Sequence, residues 1–149
     1  MSITIDTDGD EDPWADSPLS PNLLGLLFGV MDVVAFTAAG YFVVDSPAVG
    51  ALAGVGLGAG IALFMPLAMS GALEDVADGS GSADRVNPVR TFHRLAAGFA
   101  LMGGSIAMFG WYFVQETLPI GLGIGAVVAL GVYVALGFGI PNATVSSSA

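Results

Sequence analysis

The sequence predicts an all-α integral membrane protein: a four-transmembrane-helix bundle of two antiparallel helical hairpins, preceded by a disordered acidic N-terminal tail. Three observations predict it. Four apolar runs, at residues 22–44, 48–70, 91–114 and 118–140, each reach the roughly 20 residues needed to cross a bilayer. Only 11% of the 149 residues are charged, against about 25% in ordinary soluble domains, and the mean hydropathy is +0.80. Two of the three connections, Asp45-Ser46-Pro47 and about Gln115-Glu116-Thr117, are short enough to force antiparallel neighbours.

Residues 1–21 read MSITIDTDGDEDPWADSPLSP. Acids, Ser, Gly and Pro dominate, and such a segment buries no core. Its acids Asp6, Asp8, Asp10, Glu11 and Asp12 bring a calcium loop to mind. An EF-hand loop needs glycine at its sixth position and glutamate at its twelfth, and Gly9 is only the fourth residue from Asp6. The segment reads as a solvated acidic tail. It is also too acidic, and the run behind it too long, for a signal peptide.

The middle connection, residues 71–90, is longer and starts acidic. All three arginines, Arg85, Arg90 and Arg94, lie in or beside it, and the chain has no lysine. The positive-inside rule puts this loop in the cytoplasm, and with it both termini. Tyr41, Trp111 and Tyr112 then cluster at the opposite interface, which suits amphipathic rings. In this topology the glycosylation pattern Asn142-Ala143-Thr144 is cytoplasmic and unmodified. It falls in the short polar tail 141–149, beyond a helix end expected before Pro141.

Net charge is −10. Nucleic-acid binding needs a basic footprint and is not expected, nor is docking on anionic headgroups. The acid-rich, lysine-free polar segments resemble in composition those of salt-in halophilic archaea. There is no cysteine, so disulfides and thiolate chemistry are absent.

In lipid, helices associate through close packing of small residues, because water is not there to drive burial. The second run offers Gly50, Gly54 and Gly58 at four-residue spacing, with Gly56 and Gly60 repeating it. The fourth offers Gly121 and Gly125. The third offers Ala96, Ala100, Gly103, Ala107 and Gly110 on one expected face. Pro66 in the second run frees the carbonyl of Ala62 and predicts a kink. A faint internal repeat matches Gly40-Tyr41-Phe42-Val43-Val44 with Gly110-Trp111-Tyr112-Phe113-Val114, which sets Asp32 opposite Met102. A duplication of this kind relates the hairpins by an axis along the membrane normal.

Asp32 falls near the middle of the first run, within FGVMDVVAF. A carboxylate at that depth costs roughly 2.5–3.5 kcal/mol on insertion scales. Helical spacing puts Gly25, Gly29, Ala35 and Ala39 on its face, so it is expected to point into the bundle. No arginine or lysine shares its depth to pair with it. Ser105, Tyr133 and the carbonyls around residues 58–62 are the expected hydrogen-bonding partners. The group is either interhelical glue or a proton or ion site. His93 is the only histidine. A lone histidine makes no typical zinc site, and Ser105 has no base near it to become a nucleophile.

Two families share part of this layout. Four short-looped helices with a midplane acid in the first resemble the small multidrug resistance exporters, with Asp32 as that acid. Those exporters use glutamate, however, and lack the long acidic loop. Gly54, Gly56, Gly58 and Gly60 followed by Arg85-Val86-Asn87-Pro88 resemble the glycine helix and polar loop of ATP synthase rotor subunits. Here the third run carries Met102 and Ser105 where the rotor carboxylate belongs.

The expected function is therefore a non-enzymatic subunit or scaffold of a membrane homo-oligomer or larger complex, multi-pass in the plasma membrane, without cofactor or metal. The alternative is a small proton- or cation-coupled transporter that uses Asp32.

Overall fold

The computed structural model describes residues 20–69 and 88–146. The acidic tail, most of the middle connection with Arg85, and residues 147–149 lie outside the described residues. Four helices make up the described chain: α1 (Pro21–Val44), α2 (Pro47–Met69), α3 (Pro88–Gln115) and α4 (Leu118–Ser146). All four are long and apolar enough to cross a membrane.

Local chemistry sets the helix starts. Prolines open α1, α2 and α3, and Pro119 is the second residue of α4. Proline suits the first turn, where its missing N–H has no intrahelical acceptor. Ser20 caps α1, its hydroxyl accepting from the Leu23 amide at 3.3 Å. Inside α1 the Thr37 hydroxyl donates back to the Val33 carbonyl at 2.5 Å, so this polar group is satisfied within its own helix.

Both short turns are built alike. Asp45 and Glu116, at φ 51° and 52°, are the two non-glycine residues with positive φ among the described residues. Each follows its helix as a left-handed residue, the conformation that commonly ends a helix. The Ser46 and Thr117 carbonyls then accept from the Gly50 and Gly121 amides at 3.2 and 3.0 Å. The Trp111 indole N–H donates to the Thr117 hydroxyl at 3.0 Å, which fastens the second turn.

This likeness corrects the register of the internal repeat. The matching residues are 71 apart, as Tyr41 and Tyr112, Phe42 and Phe113, Asp45 and Glu116, Gly50 and Gly121, and Gly54 and Gly125 show. The 70-residue match read from the sequence slipped by one position at the aromatic cluster. In the corrected register Asp32 stands opposite Gly103, not Met102.

α2 continues through Pro66 to Met69, and α4 continues through Pro141 to Ser146, where the sequence predicted an end. A proline inside a helix forfeits one hydrogen bond to the carbonyl four residues back, a loss that long apolar helices tolerate.

The packing order follows the chain. α1 packs on α2, α2 on α3 and α3 on α4, with a slight touch between α1 and α3. α1 and α4 are not a packed pair, so the four helices form an open row and not a closed ring. Along α1 and α2 the contacts run Gly40 with Gly50, Gly29 with Gly58, and Gly25 with Ala62. They climb one helix while descending the other. The same reversal links Gly56 to Ser105 and Gly60 to Gly98 on α2 and α3, and Gly121 to Met108 and Gly137 to His93 on α4 and α3.

The glycines of α2 divide between two neighbours. A methyl on Gly50, Gly54 or Gly58 would strike α1 backbone, whereas one on Gly56 or Gly60 would strike Ser105 or Met102 of α3. Residues four apart share a helix face, and a shift of two moves to the opposite side. The GxGxGxG run is thus two stripes on two faces. Ala53, at 0% exposure, lies between them.

Candidate functional site

Asp32 is the one described residue with a fully buried side-chain oxygen, Oδ2, that lacks a hydrogen-bond partner. α1 turns Gly25, Gly29 and Gly40 fully inward, while Ala35 is exposed. Asp32 is half-buried. Its own carbonyl lies 2.8 Å from where a Cβ on Gly54 would stand, so the residue sits where α2 is bare. The Asp32 carbonyl and the Val33 Cα come this close because glycine supplies no side chain to separate the backbones.

One turn along, Phe36 of α1 meets Phe109 of α3 edge to face, at 5.7 Å and 79°. α1 and α3 both run opposite to α2 and hence in the same direction. One turn back from this pair therefore gives Asp32 on α1 and Ser105 on α3 at a common level. Ser105 sits against Gly56, whose missing side chain leaves the hydroxyl its place. At this level a carboxylate and a hydroxyl flank the glycines of α2.

Tyr133 lies elsewhere. Its hydroxyl is hydrogen-bonded with His93 Nδ1 at 3.1 Å, and the two rings stack 5.8 Å apart. Phe138 also meets the imidazole, edge to face at 5.7 Å and 68°. Gly104 packs on Gly125, and Tyr133 is two turns beyond Gly125, roughly 12 Å at 1.5 Å per residue. Tyr133 is thus the partner of His93, not of Asp32. His93 is held between α3 and α4, with Gly137 giving it room. The exposed Arg90 and Arg94 lie near the same end of α3. Arg94 is eleven residues from Ser105, roughly 16 Å, too far to neutralise Asp32.

The expected packing glycines separate into three kinds. Gly50, Gly54, Gly58, Gly121 and Gly125 make close approaches to the neighbouring helix. Gly103 makes only ordinary contact, 3.7 Å to Val132, and Gly110 has nothing within 4 Å. The close approach on α3 belongs instead to Gly104, where an added Cβ would stand 2.6 Å from the Gly125 carbonyl. The buried side of α3 runs Ala96, Ala100, Gly104, Met108. Strict four-residue spacing from Ala96 picks out this stripe, and the adjacent Gly103-Gly104 pair hid it.

No group of three His, Cys, Asp or Glu residues able to hold a metal occurs among the described residues. What Asp32 offers is a buried acceptor oxygen to which none of the described residues donates. A buried polar atom left unsatisfied costs about 1–3 kcal/mol, and such an atom calls for an explanation. A proton, a hydrogen-bond donor from another molecule, or a small cation each answers it. The chain matches no family model, and no curated protein or solved structure matches it.

Proposed function

We propose that the chain is a multi-pass membrane protein that acts as a non-enzymatic subunit or scaffold of a membrane oligomer. The four helices are joined as antiparallel hairpins in the plasma membrane of a halophilic archaeon, the organism type that the acidic, lysine-free polar segments suggest. Both termini and the middle connection face the cytoplasm, on the arginine bias. The open row of helices carries this reading. α1 and α4 are each packed along one side only, and they leave residues such as Val34 and Val127 at 66% and 72% exposure.

The test is the mass of the particle after gentle solubilisation, by native mass spectrometry or light scattering. A multiple of the chain mass, or a stable complex with other subunits, is expected. A lone monomer under every mild condition would remove the proposal.

A second reading is favoured by one observation, the unpartnered Oδ2 of Asp32. An intramembrane acid without a partner is a functional site by default, and proton- or cation-coupled transport is the class it fits. In vesicles, Asp32→Asn is expected to leave assembly intact and to abolish proton- or cation-linked flux. An unchanged flux would eliminate this reading.

A further inference from the structure

The 71-residue repeat makes the two ends of the row equivalent to the interface at its centre. At that centre, Gly60 of α2 meets Met102 and Gly98 of α3, where an added Cβ would stand 2.6 and 2.7 Å from them. Phe64 and Phe99 pair edge to face at 5.5 Å beside them. One repeat further on, α2 becomes α4 and Gly60 becomes Gly131. One repeat back, α3 becomes α1, and Met102 and Phe99 become Met31 and Phe28. Glycine, methionine and phenylalanine each recur at the equivalent position.

Every one of these counterparts is uncovered in the single chain. Gly131 has nothing within 4 Å. Met31 is 66% exposed and Phe28 48%. On α2 the face around Gly60 is deeply buried, with Val49 at 3% and Leu57 at 8%. On α4 the corresponding positions, Ile120 and Val128, line an open apolar groove together with Gly123, Ile124 and Val127.

We infer that a second copy of this chain fills that groove, with α4 of one copy packed on α1 of the next as α2 packs on α3. The repeated operation keeps every hairpin in the same orientation across the membrane. The contact joins two different surfaces, so it propagates head to tail and ends when the rotation closes a ring. The substitutions between repeats partly compensate. Leu27 is larger than its counterpart Gly98, and Ala135 is smaller than its counterpart Phe64. Val34 and Val127 replace Ser105 and Gly56, both larger, so the crossing between copies is wider at that level. The inference rests on the reading of the chain as a membrane subunit and names its partner.

The absence of cysteine makes the test direct. A Cβ on Gly98 would lie 3.8 Å from the Leu63 Cβ, within the roughly 3.5–4.5 Å of disulfide-linked cysteines. The equivalent pair between copies is Leu27 and Val134. Oxidation of the Leu27→Cys/Val134→Cys variant in native membranes should produce a reducible ladder of dimer, trimer and higher bands. Each single variant should stop at dimer or below. A double variant that gives only monomer, an intrachain link, or the same dimer as a single variant would overturn the inference. Assembly of the unmodified chain without such a ladder would leave the subunit reading standing and remove this one; a lone monomer would remove both. Gly131→Phe supplies a variant that needs no cross-link. It should dissociate the assembly, whereas Gly110→Phe, also in open space but away from both ends, should not. Equal behaviour of these two variants would also overturn the inference.

Discussion

Gly58→Leu is expected to destroy the α1–α2 pairing and most of the recoverable folded protein. A Cβ at Gly58 would strike the Gly29 carbonyl and stand 2.9 Å from both Gly29 carbon atoms. Those are backbone atoms, which cannot turn aside as the end of a flexible side chain can. Gly29 meets Gly58 from the other side in the same way, 2.7 Å from its carbonyl. The helices would have to separate along their whole crossing, and in an apolar solvent close packing is what holds them together. Over-packing a core costs about 1–3 kcal/mol, and a backbone clash in a glycine crossing falls at or above the top of that range. The readout is the unfolding midpoint in mild detergent, with Gly110→Leu as control. Gly110 has nothing within 4 Å and lies away from both ends of the row, so its substitution should change the midpoint little. If Gly58→Leu unfolds with the control, the glycine crossing does not hold α1 to α2.

Asp32→Leu is expected to raise the same midpoint. The carboxylate oxygen Oδ2 is buried and has no donor, and leaving such an atom unsatisfied costs about 1–3 kcal/mol. An apolar side chain of similar reach removes the cost. If Asp32 were glue between helices, the substitution would lower the midpoint instead, by the roughly 0.6–2 kcal/mol such bonds contribute in membranes. A gain in stability coupled to a loss of flux would mark Asp32 as a group kept for function at the expense of the fold.

The helices themselves were legible in the sequence. A run such as 22–44 with proline in front and Asp45-Ser46-Pro47 behind allows little else, and α1 spans Pro21–Val44. Asp32 was legible too, since a lone acid stands out among apolar neighbours. Its surroundings were less so. The proposal of Tyr133 as a partner followed from depth alone, and depth does not say which neighbour a helix turns toward. His93, on the adjacent helix, engages Tyr133 instead.

By itself the sequence determined that there are four apolar helices, where their turns fall, that small residues must mediate their contacts, and that one carboxylate sits among them. Tertiary structure alone decided which glycines touch, that Gly104 and not Gly103 meets Gly125, that α2 divides its glycines between two neighbours, and that the row stays open. The physical reason is uniformity. In a soluble helix the contrast between apolar and polar faces points to the core. α1, α2 and α4 are apolar on every side, so their sequences carry no such pointer. Which face is buried then depends on how closely two backbones can approach, and that is a property of the pair.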